Sequence, residues 1–212
     1  MKRITIYLCF IVLTSSLFAQ NSDFIVLNAP DTNRGLPVMK ALSLRASVKD
    51  FDTTSINLQD MSDLLWAANG INRPENGKRT APSALNAQDI DIFVFNKSGV
   101  YLYNANEHIL ETIINEDNRQ IFSRQENDPV PAIICLLVSD ISRFKFGEDS
   151  LRLEWAAMDA GIVTQNILIF CASVDLVSRP RAGMNKEKIK ELLKLNDTQY
   201  PMLNIPVSYK KD

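Results

Sequence analysis

The spacing of apolar residues along this chain changes period several times, and each period predicts an element. Residues 37–44 (PVMKALSL) place apolar side chains at helical spacing behind a proline suited to a first turn, which predicts a short helix ending before Arg45. A polar stretch follows to Ile56. Asn57 is placed to cap a helix over Leu58 to Asn69, with Leu58, Met61, Leu64, Leu65 and Ala68 on one face and Gly70 as its stop. Residues 70–88 (GINRPENGKRTAPSALNAQ) carry the prolines, glycines and amides of a long loop. From Ile90 to Phe95 the period is two, and it resumes from Val100 to Tyr103 after a turn at 96–99, which predicts a hairpin. A short helix is expected within 115–122. Ala132 to Val138 is apolar throughout, as a strand buried on both faces would be, and is placed at the sheet centre. The longest periodic segment, 151–175, is apolar nearly all round from Ile162 to Ala172, which predicts a helix buried in a core or at a subunit interface. A last helix over 185–194 and an edge strand from Met202 to Val207, broken by Pro206, complete one α+β domain over 20–212.

Residues 1–19 read differently. Lys2 and Arg3 precede an apolar stretch from Ile4 to Leu13, and small residues follow up to Ala19, the pattern of a cleaved signal peptide. The stretch is about half the ~20 residues that a membrane span needs. Cys9 lies inside it, badly placed for lipid attachment at a mature N-terminus. Export to a periplasm or to the medium, without a membrane anchor, is the expectation.

Composition narrows the function. The formal net charge of -2 becomes -4 once Lys2 and Arg3 leave with the leader, so no cationic excess is present to hold a phosphate backbone, and nucleic acid is not expected as a partner. A single histidine, His108, leaves no His-rich metal site, and no metal is expected. No glycines are spaced as in a dinucleotide fingerprint or a P-loop, so any nucleotide-like cofactor must be held by side chains and scattered amides. Cys135 and Cys171 both sit in apolar runs and read as small buried hydrophobes, with one disulfide as the alternative.

Three constellations carry candidate chemistry. In Arg45-Ala46-Ser47-Val48-Lys49-Asp50-Phe51-Asp52, two cations and a hydroxyl at i, i+2 and i+4 of an extended segment share one side, suited to phosphate oxygens or an electron-rich heterocycle. In 79–88 (RTAPSALNAQ) a proline-stiffened turn presents Ser83, Asn86 and Gln88. The third joins Asp159-Ala160-Gly161 on the long helix to 179–185 (RPRAGMN), where small residues allow a close approach. Read singly, these are also a solvated charged segment, a capped turn and a helix-packing face.

Taken in order, R-x-S-x-K-x-F-D, a helix ending in Ala-Ala, PSxxNxQ, DAGxxxQN, a PxxGM turn and a terminal P-V-x-Y resemble the FMN-dependent nitroreductase superfamily. LLWAANGINRP followed by KRTAPSALNAQ is most similar to its exported SagB/ThcOx-type dehydrogenases. The resemblance implies a mainly antiparallel sheet flanked by helices in a domain-entwined homodimer, with FMN at each subunit boundary. By position, Arg45 would meet the FMN phosphate, and Ser47 and Lys49 the ribityl or ring polar atoms. Pro82, Ser83 and Asn86 would approach from the other subunit, and Gly183 would lie beside the ring. Hydride would pass through flavin N5 between an electron donor, NAD(P)H by resemblance, and a small organic substrate. The alternative is a flavin-binding or interaction protein that kept the fold without turnover. The chain departs from the pattern at Ser208, where glycine is common, at Ala182, where an acidic residue is common, and in lacking a basic C-terminal arm beyond Lys210 and Lys211. Tyr101 and Tyr103, alternating on a strand, read as strand packing rather than as the side chains of an azoline oxidase.

Overall fold

The computed structural model describes residues 24–123 and 130–211; the expected leader and its cleavage site lie outside the described residues. Strand β1 (Phe24–Val26) is followed by helix α1 (Val38–Leu44), which stops at Arg45, and helix α2 (Leu58–Asn69). The N-terminus of α2 is fixed by the Asn57 side chain, which accepts the Asp60 amide at 2.8 Å. Gly70 ends α2 without a left-handed turn: its backbone is extended, and a Cβ there would lie 2.6 Å from the Trp66 ring. Close approach, not positive φ, therefore requires the glycine. Leu58, expected on the buried face, is exposed, because the face turns inward only from Asp60 onward. Asp60 and Asp63 go under with it because Arg34 pairs with both, and the Tyr209 hydroxyl donates to Asp60 at 2.7 Å.

The expected loop 70–88 is partly ordered as a ribbon of β2 (Ile71–Arg73) against β3 (Lys78–Arg79), before the chain enters β4 (Ile90–Asn96). The predicted hairpin continues through β5 (Gly99–Asn104) into a third strand, β6 (Ile109–Ile114). His108 turns that second corner at φ +51, with Nε2 on the Asn28 carbonyl and Nδ1 on the Tyr103 hydroxyl, each at 2.9 Å. The carbonyl can only accept, so Nε2 carries the proton and Nδ1 accepts from Tyr103. The one histidine is structural, and burial holds its pKa below the usual value. A 3-10 turn at Arg119–Phe122 replaces the expected helix.

Strand β7 (Ile133–Asp140), helix α3 (Asp149–Ser173), strand β8 (Leu176–Ser178), helix α4 (Lys186–Leu193) and strand β9 (Gln199–Tyr209) complete a seven-stranded sheet of order β1-β6-β5-β4-β7-β9-β8. Every named pairing is antiparallel; a single parallel bridge, Ser47 to Ser178, lies at the β8 edge. The middle strand is β4, with β7 beside it. The C-terminal strand is not an edge: β9 runs between β7 and β8. Pro206 is tolerated inside because its carbonyl side faces Arg179, just past the end of β8, where the ladder needs no proline N–H.

Side chains alternate across this sheet into two cores. Ile92, Val94, Cys135, Leu137 and Ile205 face α2 and α3, while Phe93, Phe95, Ile134, Leu136 and Val138 face α4 and Phe122. Strand β7 is buried on both faces, as its unbroken apolar run requires. Truncating one of its leucines to alanine is worth about 2–5 kcal/mol. Cys135 and Cys171 are buried and unpaired, and burial pushes both thiols up, Cys171 to about 12.

Candidate functional site

The segment 45–49 leaves α1 extended along β8, with the Val48 amide on the Ser178 carbonyl at 3.3 Å. Ala46 and Val48 turn toward Leu168, Ala172 and Leu176, so the alternation of an extended chain puts Arg45, Ser47 and Lys49 on the opposite side. Arg45 is half-buried; Ser47 and Lys49 are exposed. Past β8 the chain turns through 179–183. Arg181 is clamped to Asn204 by two backbone bonds of 2.9 Å and by its guanidinium on the Asn204 side chain at 2.8 Å. Lys49, Arg179, Arg181 and Lys211 line one cleft of about 260 Å³ with Asp50, Phe51 and Phe122. Gly183 ends this turn, exposed, with unexceptional φ, and a Cβ on it would meet nothing within 4 Å among the described residues. Nothing among the described residues calls for that glycine.

The second half of the candidate site is built differently. Leu85, Asn86 and Gln88 all have positive φ, at 53°, 53° and 50°, none of them a glycine, with Ala87 between them at φ -69°. Each such residue costs on the order of 1 kcal/mol, so surrounding bonds must hold the turn. Those bonds are present. The Ala84 amide donates to both oxygens of Asp159, at 3.1 and 2.9 Å, and the Gln88 amide donates to Ser83 Oγ at 2.9 Å. Arg143 donates to the Gln88 carbonyl at 2.9 Å, and the Gln88 side chain reaches the Gly77 carbonyl at 3.0 Å. Pro82 and Asn86 are thereby held exposed, with Ser83 half-buried between them.

Within one chain the two halves do not meet. Ser178, beside Ser47, is registered with Val207, whereas Ser139, beside Asp89, is registered with Tyr200. Those positions are about 23 Å apart along β9 at ~3.3 Å per residue. Arg45, Ser47 and Lys49 thus lie at the β8 edge and Pro82, Ser83 and Asn86 at the far end of the sheet, while Gly183, whose carbonyl takes the Asn204 side-chain amide at 3.4 Å, lies between those two levels. Two residues that hold the second half received no role from the sequence: Asp159, visible only as the first letter of a helix motif, and Asp89. The latter is completely buried just before β4, and burial beside Asp159 pushes its carboxyl up to about 7.

The scaffold is α+β: a seven-stranded antiparallel sheet with a long helix on one face, a clamped PSxxN turn, and a glycine-containing turn past β8. The family model "Nitroreductase family" matches residues 42–209, and the chain belongs to that family. A protein of Methanocaldococcus jannaschii assigned as a nitroreductase is 25% identical over 89% of this chain and 98% of its own length. The crystal structure of a Ralstonia eutropha protein, also assigned as a nitroreductase, superposes with a TM-score of 0.84 at 32% identity, over 90% of each chain. A chain of the Escherichia coli microcin synthetase McbBCD complex shares the fold at a TM-score of 0.67 and 15% identity, over 98% of this chain and 85% of that one.

Proposed function

We propose that this protein is an exported, homodimeric FMN-dependent oxidoreductase of the SagB/ThcOx type that acts on a small organic substrate by a ping-pong cycle with NAD(P)H as donor. The observation that carries the reading is the meeting of 45–49 with the 179–183 turn at the β8 edge, in a chain of the nitroreductase family. The donor set fits the cofactor: a guanidinium and a hydroxyl for the phosphate and ribityl chain, an ammonium for the electron-rich ring edge, and an open glycine where a flat ring can lie. Arg45, Ser47, Lys49 and Gly183 would hold FMN from one subunit, and Pro82, Ser83 and Asn86 from its partner. When bound, FMN supplies hydride acceptance and donation at N5. The protein's part is to orient and to exclude water: the 82–86 turn is held by its bonds to Asp159, Arg143 and Ser83, and the cations lower the cost of holding negative charge on the ring.

The dimer reading draws on α3. Only 44% of its most apolar 18-residue stretch is buried within the chain, Met158 is 63% exposed, and Gly161 has open space where a Cβ would stand. An exposed helix-interior glycine costs roughly 1 kcal/mol and here repays nothing inside one chain, as expected where a second copy packs closely. The test is an absorbance spectrum of the purified protein with mass identification of any released chromophore. Bands near ~370 and ~450 nm with FMN released, and bleaching of those bands by NADH or NADPH, are expected. A colourless protein that takes up no added FMN removes the reading. Export predicts a periplasmic or secreted form whose first residue is Gln20.

A further inference from the structure

The 82–88 turn is anchored on two acids with too few donors between them. Asp89 is completely buried and Asp159 nearly so, and burial, with Asp159 beside it, holds the Asp89 carboxyl above its usual range. Asp159 spends both oxygens on the Ala84 amide. Asp89 Oδ2 takes the Ser139 hydroxyl at 2.5 Å, while Asp89 Oδ1, equally buried, receives no donor. An orphaned carboxylate oxygen facing a second carboxylate in a dry site is unfavourable on both counts. One proton cures both, because a protonated Asp89 becomes the donor that Asp159 lacks.

The surrounding charges do not offer another cure. Arg143, in the turn after β7, is the cation in electrostatic reach of Asp89 among the described residues, and its guanidinium is already committed to Asp91, at 2.9 and 2.6 Å, and to the Gln88 carbonyl. Asp140 also leans on Arg143. Arg79, on β3, bonds the Gln88 side chain and feels Asp91 and Arg143. From α2 the contribution is a neutral amide, Asn69, on the Ile90 carbonyl, and from β7 the neutral Ser139.

We propose that Asp89 and Asp159 share one proton, and that this proton holds the strained 82–88 turn in its flavin-contacting form, so that cofactor retention weakens as rising pH removes it. The inference rests on the FMN reading for its consequence but not for its chemistry. In the docked turn burial, with Asp159 beside it, pushes the Asp89 carboxyl up to about 7; released to water, a carboxyl returns to about 4. The docked form therefore binds more protons across that window, and docking weakens as pH rises from about 4 to about 7 and then levels off. Asp89 and Asp159 are positioning residues: neither is placed against the flavin.

Two measurements on the full mature protein test this, across about pH 5 to about pH 8. The first is amide-exchange protection of 82–88 without flavin, corrected for intrinsic rates; the second is the FMN dissociation constant. In the wild type, protection should fall by about tenfold or more and the dissociation constant should rise alongside it. In Asp89→Asn, which keeps a donor at that position without a charge, protection should be flat and as favourable as in the wild type at the acid end, and the dissociation constant should lose the rise with pH that the wild type shows relative to it. Protection that is pH-independent in the wild type, or that falls equally in Asp89→Asn, overturns the proposal. Should Asp89→Asn not fold, the wild-type Asp89 carboxyl carbon shift decides: a midpoint near the ordinary ~4 overturns the shared proton, and one near ~7 supports it. If protection behaves as expected but no flavin binds at any pH, the shared proton stands and the FMN reading falls.

Discussion

The two halves of the candidate site solve opposite problems. At the far end of the sheet, 82–88 is held by bonds to α3, β3 and the turn after β7, in a conformation that its own residues disfavour. At the β8 edge, Arg45, Ser47 and Lys49 are strung along an extended segment with a cationic cleft at its end. The 82–88 half is organised by the fold in advance; the cationic half presents charge that a ligand completes. Rigid groups suit the neutral edge of a ring, where position discriminates, while accessible cations suit a phosphate, where charge matters more than angle.

That contrast makes stability and cofactor affinity separable. Asp159→Ala should have the largest effect, removing the acceptor of the Ala84 amide and lowering stability by about 2–3 kcal/mol in denaturant unfolding, with loss of FMN binding as well. A change in affinity without a change in stability there would remove the clamp from the account. Arg45→Ala should do the reverse: FMN affinity drops about ten- to a hundredfold, 1.5–3 kcal/mol, while unfolding is unmoved. Leu85→Gly should stabilise by about 1 kcal/mol in thermal or denaturant melts, because Leu85 is 57% exposed and sits at φ 53°. Loss of stability in that variant would mean that the leucine packs more than its exposure indicates. The smallest stability effect, within about 0.5 kcal/mol, belongs to Gly183→Ala, whose added methyl meets nothing within 4 Å among the described residues and should register only as weakened flavin binding.

The same contrast marks how far the chain could be read in advance. Helix α2 was legible with its Asn57 cap, as were the β4–β5 hairpin and the doubly buried β7, because their signals are local: a cap, a period, an apolar run. The cationic half was legible for the same reason, since alternate residues of an extended segment share a side. Strand β6 was not, because only Leu110 of its six residues is buried and no clear alternation survives. The interior place of β9 was missed because Pro206 signals an edge, and only the early end of β8 makes it harmless inside. The 82–88 turn was recognisable as a turn, but its clamp depends on Asp159, 75 positions away in the chain, and its strain on where that residue lands. Asp89 carried no sequence signal at all: an acid before an apolar strand reads as a solvated boundary.

The central claim is that one flavin site is completed by the two halves from different copies of the chain. Mixing tests it most directly. Arg45→Ala is defective in one half and Ser83→Ala/Asn86→Ala in the other, so each homodimer should bind FMN weakly. Unfolded together and refolded, a shared site leaves each mixed dimer with one fully wild-type site, and about a quarter of all sites should regain tight FMN binding. If the mixture binds no more tightly than the separate variants, while the wild type refolded in parallel retains its flavin, the site lies within one chain and the shared-site account is wrong.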